Sequence, residues 1–338
     1  MGVKIKDIVV KDVIDVKDLK FKTLAVDAFN MLYQFLSTIR QPDGTPLMDD
    51  AGVTSHLAGI IYRVTNLLSE GLKLIFVFET KSPELKEFTK LQRSVKKIEA
   101  KAKYDEAKDE ANLEEMKKYA MQTTRLNENM INESKELLTA LGCAVIEIPF
   151  EGEAVAAKIV QKGKAYAVVS QDYDSLLFGA TKVVRNLSVS KRRKVGGTYV
   201  KVDIELIDLE KTLKKFGIDL DQLIVIGILS GTDFNPGGIP GIGAKKALEL
   251  VKQYGHNFDA LFTHVEWDKY YEYSWKKVFE IFKKDLEIPE IKFPKYDRNK
   301  VFEILCERHR FSRERIENAL KTLEKSDMNQ SSLMQWFK

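Results

Sequence analysis

Six carboxylates in this chain stand where short apolar runs end. Thr23 to Val26 leads into Asp27, and Leu74 to Phe78 leads into Glu79. The run from Cys143 to Ile148 is followed, past Pro149 and Phe150, by Glu151 and Glu153. Ala165 to Ser170 leads into Asp172 and Asp174. A seventh acid, Asp233, closes a helical pattern just before a Gly/Pro-rich segment. Acids gathered without counter-ions repel each other and are driven to protonate. Hard divalent cations with a preference for oxygen, Mg²⁺ above all, resolve that conflict. Seven acids suffice for two such ions. Two ions about 3.5–4 Å apart activate a water and stabilise the leaving oxygen in phosphodiester cleavage. The plain alternative is a set of unrelated loop acids, and Glu151 and Glu153 do open a helix, where the dipole favours them anyway. No nitrogen or sulfur site competes. His56, His256, His264 and His309 are scattered, and Cys143 and Cys306 lie in apolar surroundings.

Continuous apolar runs separated by helical patterns read as central strands of a parallel sheet. Open α/β sheets place their sites at the carboxyl ends of such strands, so this fold logic delivers the acids to one crevice. The expected architecture is a mostly parallel twisted sheet with helices on both faces. Helices are expected near 28–39, 54–70 and 128–141, with a turn at Gln41 to Pro46. From 82 to 121 the chain alternates Lys and Glu with few large apolar residues and no core-facing stripe. Such a segment reads as a solvated helix, or as an arch standing beside the acidic crevice. Lys191 to Lys194, followed by Gly196 and Gly197, reads as an exposed hairpin or loop. Later helices are expected near 203–216, 220–230, 244–254, 267–284, 298–308 and 312–325.

At 338 residues, 44% of them apolar, the chain can bury a substantial core, and its net charge is only +4. The charge is segregated, with acids at strand ends and bases elsewhere. Two cysteines in apolar contexts and no long apolar span or basic-apolar leader point to a reduced, cytoplasmic setting away from membranes, nuclear only in a eukaryote.

Two further motifs bear on partners. Gly238 to Gly243, followed by Ala244, Lys245 and Lys246, resembles a helix–hairpin–helix or helix–two-turn–helix element. Gly241 and Gly243 let backbone approach a phosphate, the next helix offers its N–H groups, and the two lysines add counter-charge. The alternative is an ordinary interhelix turn. At the C-terminus, Gln330, Leu333, Trp336 and Phe337 carry the spacing of a sliding-clamp-binding peptide, with the three apolar side chains as anchors on one turn. The alternative there is a tail folded on its own core.

Over essentially its full length the chain resembles the archaeal-type flap endonucleases of the structure-specific 5′ nuclease family. The resemblance is carried by Met1-Gly2-Val3, Ala25 to Asn30, Tyr33 to Leu36, Ile39 to Leu47, Thr54 to Leu57, Glu151 to Ala154, Ser170 to Gly179, Gly231 to Asp233 and the tail. It implies a nuclease domain over 1–325, with a helical gateway and arch near 84–130, and a clamp-binding tail over 326–338. It implies that Asp27, Glu79, Glu151, Glu153, Asp172, Asp174 and Asp233 surround two Mg²⁺ ions, with Mn²⁺ able to substitute. Lys86 and Arg93 then contact the scissile phosphate, Tyr33 stacks on a base beside it, and Gly2, Arg40 and the Thr54 region meet DNA. The implied activity is 5′ flap endonuclease and 5′ exonuclease action in Okazaki-fragment maturation and repair, by a monomer bound to branched DNA and a clamp. Two rivals stand beside it, a PIN-type ribonuclease and a weakened, junction-binding clamp partner. The second is favoured by one departure. Glu79-Thr80-Lys81-Ser82-Pro83 stands where the family has Asp-Gly, then Lys or Glu, then Pro-Pro. The extra methylene moves the carboxylate by about 1.5 Å, a size of error to which catalysis is sensitive. Reduced activity with stronger Mn²⁺ rescue is therefore expected.

Overall fold

Strand β2 (Thr23–Asp27) sits inside the central sheet and buries side chains on both faces, which is why its sequence is uninterrupted by polar residues. The computed structural model describes residues 2–110, 112–123, 125–187, 192–195 and 198–336. For 113, 117, 121, 192–195, 198–200 and 325–336 it describes the backbone alone. The other sheet strands are β1 (Lys11–Ile14), β3 (Lys73–Glu79), β4 (Ala144–Ile148), β5 (Ala167–Val169), β6 (Lys182–Arg185) and β7 (Ile204–Asp208). Their order is β1-β7-β6-β5-β2-β3-β4. Strands β4, β3, β2, β5 and β6 run parallel, with Asp27 opposite Val77 and Glu79 opposite Ile148. Strand β7 is antiparallel to both β6 and β1. The mostly parallel α/β sheet expected from the sequence is present.

Alternate residues feed two cores. Ala25, Ile75, Val77, Ile146 and Val168 pack under helices α5 (Gly152–Gln161) and α6 (Leu220–Ser230). Leu24, Val26, Leu74, Phe76 and Val169 pack under α1 (Ala28–Thr38) and α4 (Glu128–Ala140). The same face receives Ile316, Leu320 and Leu323 of α8 (Arg313–Trp336). Those three residues share one helical face, and their burial anchors the C-terminal helix.

Helices α2 (Glu87–Asp109) and α3 (Leu113–Gln122) pair with each other through small residues, including buried Ala100, Ala107 and Ala120. Helix α2 carries no core-facing stripe of large apolar residues, as the sequence leads one to expect. Phe88, Leu91, Val95 and Ile98 recur at helical spacing but are 47–62% exposed. At 100° per residue they lie opposite Lys86, Lys90, Arg93 and Lys97, which face the crevice. The segment stands beside the sheet because its inward face is cationic.

Three other expectations change. The helix expected from 203 begins only at Leu209, because Ile204–Asp208 finds backbone partners in β6 and β1. The helix expected over 267–284 breaks into a short turn, Trp267–Lys269, and a helix, Trp275–Lys283. Between them, the Tyr271 and Tyr273 hydroxyls donate to the carbonyls of Gly238 (2.9 Å) and Phe234 (2.8 Å). A helix at Phe258–His264 and strands β1 and β6 are additional. The basic segment forms a hairpin, Arg192–Val195 against Thr198–Lys201. Helix α8 runs unbroken across residues 325 and 326.

Candidate active site

Because β2, β3, β4 and β5 are parallel, their carboxyl ends open onto one edge of the sheet. There Asp27, Glu79, Glu151, Glu153, Asp172, Asp174 and Asp233 line a single crevice of about 790 Å³. Several are held by backbone donors. Asp27 caps α1 by accepting from the Asn30 N–H at 3.1 Å. Asp172 accepts from the Gly2 N–H at 3.1 Å, and Asp174 from the Val3 N–H at 3.1 Å. Only glycine fits at position 2, where a Cβ would meet Asp174 Oδ2 at 2.0 Å. Glu153 accepts from the Ser170 hydroxyl at 2.6 Å.

Burial makes four of these acids, Asp27, Glu151, Glu153 and Asp174, reluctant to ionise. Burial, then neighbouring acids, pushes Asp174 up to about 7 and Glu153 well above the carboxylate range. Burial raises Asp27 to about 6, against the Asn30 N–H and Lys86. Burial also raises Glu151 to about 7, although the Lys86 ammonium opposes it. Of the four cations that face the crevice from α2 and the turn before it, Lys86 and Arg93 reach the acids most closely. Lys86 hydrogen-bonds Glu151 and lies 3.6 Å from Glu79 and 4.0 Å from Asp233. Burial works against the Lys86 charge, but Glu151 and Glu79 outweigh it and hold its pKa above the usual lysine value. Arg93 Nη2 reaches both oxygens of Asp233, at 2.6 and 2.7 Å. Thr89 pins this helix to the Asp233 carbonyl at 2.6 Å.

The donor set is entirely carboxylate oxygen, which suits hard divalent cations. Glu151 Oε1 is buried without a hydrogen-bond partner among the described residues, an acceptor left for an added ligand. Among those residues no three acids already converge on one point as a finished ligand set. Their oxygens are engaged instead by Lys86, Arg93 and backbone N–H groups. Glu79 is seated by the Ser82 hydroxyl, which donates to its Oε1.

Two family models match the chain, the XPG N-terminal domain over residues 1–100 and the XPG I-region over residues 142–233. Flap endonuclease 1 of Aeropyrum pernix is 47% identical over 353 residues, covering 100% of both chains. The chain belongs to the flap endonuclease family. That of Pyrococcus furiosus is 43% identical, again over 100% of each chain. A solved flap endonuclease-1 from Methanococcus jannaschii superposes with a TM-score of 0.74 at 38% identity, over 97% of this chain and 100% of that one. The catalytic core of Rad2 in complex with DNA substrate shares the fold, with a TM-score of 0.69 at 23% identity over 95% and 100% of the two chains. Nucleases of the flap endonuclease family hydrolyse DNA phosphodiester bonds and depend on metal ions.

The residues expected to meet DNA are more dispersed. Tyr33 lines the crevice, 39% exposed, with the Lys97 ammonium 5.1 Å from its ring centroid. Arg40 donates to the Gly44 carbonyl at 2.8 Å, and buried Thr54 ties its N–H to the Leu47 carbonyl at 2.8 Å. Both therefore shape the 40–54 segment, and the Thr54 side chain is not presented to solvent. Gly241 takes φ +77°, a left-handed value that favours glycine, and Gly243 precedes α7 (Ala244–Tyr254), on which Lys245 and Lys246 are exposed. Gln330, Leu333 and Trp336 fall on the backbone of α8, and Phe337 lies outside the described residues.

The sequence reading passed over four side chains that hold the site together, Asn30, Ser82, Thr89 and Ser170. Asn30 sits three residues after Asp27, and Ser170 immediately precedes the acid pair, but nothing in either spacing distinguishes a site residue from a cap. It also passed over Lys90, Lys97 and Arg125, which line the crevice. The recurrence of bases at 86, 90, 93 and 97 was the available signal.

Proposed function

We propose that the crevice hydrolyses the phosphodiester bond at the base of a 5′ flap in branched DNA and also trims 5′ ends, serving replication and repair. Two Mg²⁺ ions, replaceable by Mn²⁺, are held by Asp27, Glu79, Glu151, Glu153, Asp172, Asp174 and Asp233. The observation that carries this reading is the meeting of these seven acids with the cationic face of α2 in one crevice. A carboxylate cluster alone would bind cations. A cationic face set opposite it receives a phosphodiester as well.

Ions held by these acids would supply activation of the attacking water and stabilisation of the leaving oxygen. The chain's own cations act on the phosphate. Lys86 and Arg93 are engaged with acids here, and the same side chains stabilise the charge that accumulates on the scissile phosphate in the transition state. Tyr33 offers a ring at the crevice wall for a base beside that phosphate. The duplex lies on the Gly241–Gly243 turn and the α7 N-terminus, with Lys245, Lys246, Gly2 and the segment containing Arg40 and Thr54 contributing contacts. The α6–turn–α7 unit serves as a helix–two-turn–helix element. The protein acts as a monomer, and Gln330, Leu333, Trp336 and Phe337 dock it on a sliding clamp.

Single-turnover assays on 5′-flap DNA and on single-stranded RNA, with and without Mg²⁺, test the reading. Asp174→Ala is expected to reduce flap cleavage to background while flap binding persists. Lys86→Ala is expected to slow it by about 10²–10³ with little change in affinity. Cleavage of RNA in preference to flap DNA, or near-parental turnover by Asp174→Ala, would refute it.

A further inference from the structure

Asp172 and Asp174 sit on a loop, Gln171 to Asp174, that lies beyond β5 and before the short helix Asp174–Leu177. Among the described residues no strand partner holds it, so side chains must satisfy its backbone. Ser170 accepts from the Asp172 N–H at 3.1 Å, and two more side chains act from opposite sides. Asn30 of α1 accepts from the Gln171 N–H with Oδ1 at 3.0 Å and donates from Nδ2 to Asp172 Oδ2 at 2.9 Å. Arg185, at the end of β6, donates from Nε to the Gln171 carbonyl at 3.0 Å and from Nη1 to the Tyr173 hydroxyl at 2.5 Å. Its guanidinium also lies over the Tyr173 ring, 4.3 Å from the centroid. Both backbone groups of Gln171 are thus taken by side chains of different elements.

Arg185 is itself oriented. Glu205 of β7 accepts from Nη1 at 2.8 Å, and Lys11 of β1 reaches the same carboxylate at 3.2 Å. The antiparallel end of the sheet therefore braces a loop at the parallel end. Arg185 does not line the crevice, so any effect it has on chemistry must pass through the loop. The pair of acids it braces gains most from such bracing. Asp172 and Asp174 repel each other, and without fixed neighbours they would swing apart.

We propose that Asn30 and Arg185 are positioning residues that clamp the Gln171–Asp174 loop and set Asp172 and Asp174 for divalent cations. This rests on the reading of those acids as metal-binding. Outer partners of metal-binding carboxylates typically control affinity or activity by 10- to 100-fold. The planar fork of Arg185 spans the Gln171 carbonyl, the Tyr173 hydroxyl and Glu205 together, whereas a lysine ammonium is a single point of donors.

Calorimetric titration of the full chain with Mg²⁺, without DNA, tests the clamp on Asn30→Ala, Arg185→Ala, Arg185→Lys and Asp172→Asn. Flap binding without metal and unfolding in chelator are measured alongside. Asn30→Ala and both Arg185 variants are expected to bind Mg²⁺ about 10- to 100-fold more weakly, with metal-free flap affinity within about twofold of the parent. If Arg185→Ala does not fold, Arg185→Lys and Asn30→Ala carry the test. Folded variants with parental Mg²⁺ affinity overturn the clamp when Asp172→Asn does lose the metal. Parental Mg²⁺ affinity in Asp172→Asn instead overturns the metal assignment beneath it. A lowered unfolding midpoint with unchanged Mg²⁺ affinity reduces Asn30 and Arg185 to structural roles and also overturns the clamp.

Discussion

At the scale of single residues, the acids of the crevice are held in a state they would not choose alone. Asp174 illustrates the cost. Its carboxyl is raised from 3.8 to about 7, first by burial and then by Asp172 and Asp233. With the folded value above the unfolded one, the folded state binds the extra proton between about pH 4 and pH 7. Stability from this group is present below the unfolded pKa, falls as pH rises through that window, and is flat above it. Asp174→Asn removes the titration and keeps an acceptor for the Val3 N–H. In chelator at pH 8 the variant is therefore expected to be more stable, by on the order of 2–4 kcal/mol. That advantage should shrink toward pH 5, as urea unfolding at the two pH values will read. Glu79 is the other instructive residue. Its extra methylene raised the expectation of a misplaced ligand, which shortening to Asp would repair. The Ser82 hydroxyl and Lys86 instead receive the longer side chain where it lies. Glu79→Asp should therefore lose both partners and lower the Mg²⁺-supported rate, by about tenfold on the usual effect of such partners. An increased rate would mean that Ser82 only tolerates Glu79.

At the scale of elements, α2 and the α6–turn–α7 unit present opposite problems. Helix α2 turns its cations inward and leaves Phe88, Leu91, Val95 and Ile98 in solvent, so the charge of the crevice and not a hydrophobic seam sets its orientation. The turn between α6 and α7 folds on itself through short-range backbone bonds, from the Ile239 N–H to the Leu229 carbonyl at 2.8 Å and from the Ile242 N–H to the Ile239 carbonyl at 3.0 Å. Tyr271 and Tyr273 fasten it from a distant part of the chain, leaving Lys245 and Lys246 exposed at the start of α7. Replacing both lysines with Ala is expected to weaken binding of every duplex-bearing substrate alike. It should also make the slope of log affinity against log salt shallower by about 2, one unit for each phosphate no longer neutralised. An unchanged slope would return this segment to an ordinary interhelix turn.

At the scale of the whole molecule, the net charge is only +4, and acids and bases pair over much of the surface. Seven acids and the bases Lys86, Lys90, Arg93 and Lys97 share the crevice at one edge of the sheet, so cations and phosphates meet there. Among the α8 side chains that are described, the last buried anchor is Leu323, which lies before the clamp-like motif. Deleting 326–338 keeps the anchors Ile316, Leu320 and Leu323 and should leave cleavage of free flap DNA within about twofold of the parent. Stimulation by a sliding clamp should disappear. Loss of basal cleavage on deletion would show that the tail belongs to the nuclease itself.

The parallel heart of the sheet and the acids at its carboxyl ends are legible from the residues alone. Strands β2, β3 and β5 are buried on both faces, and edge strand β4 is buried at Ala144 and Ile146, so their apolar runs needed no tertiary context to be legible, and chain direction then placed Asp27, Glu79, Glu151 and Asp172 on one edge. Only the tertiary structure decided the rest. Strand β7 carries a pattern that fits a helix, and it becomes a strand because β6 and β1 flank it. Asn30, Ser82 and Arg185 acquire their roles from partners far away in the chain or across a turn, and no local spacing encodes such meetings. His56 and His309, scattered in sequence, both converge on Glu133 of α4, at 3.4 and 2.9 Å. Apolar periodicity is a local property, because each side chain must separately leave water. Polar partnership is a relation between two surfaces, and it exists only once folding has brought them together.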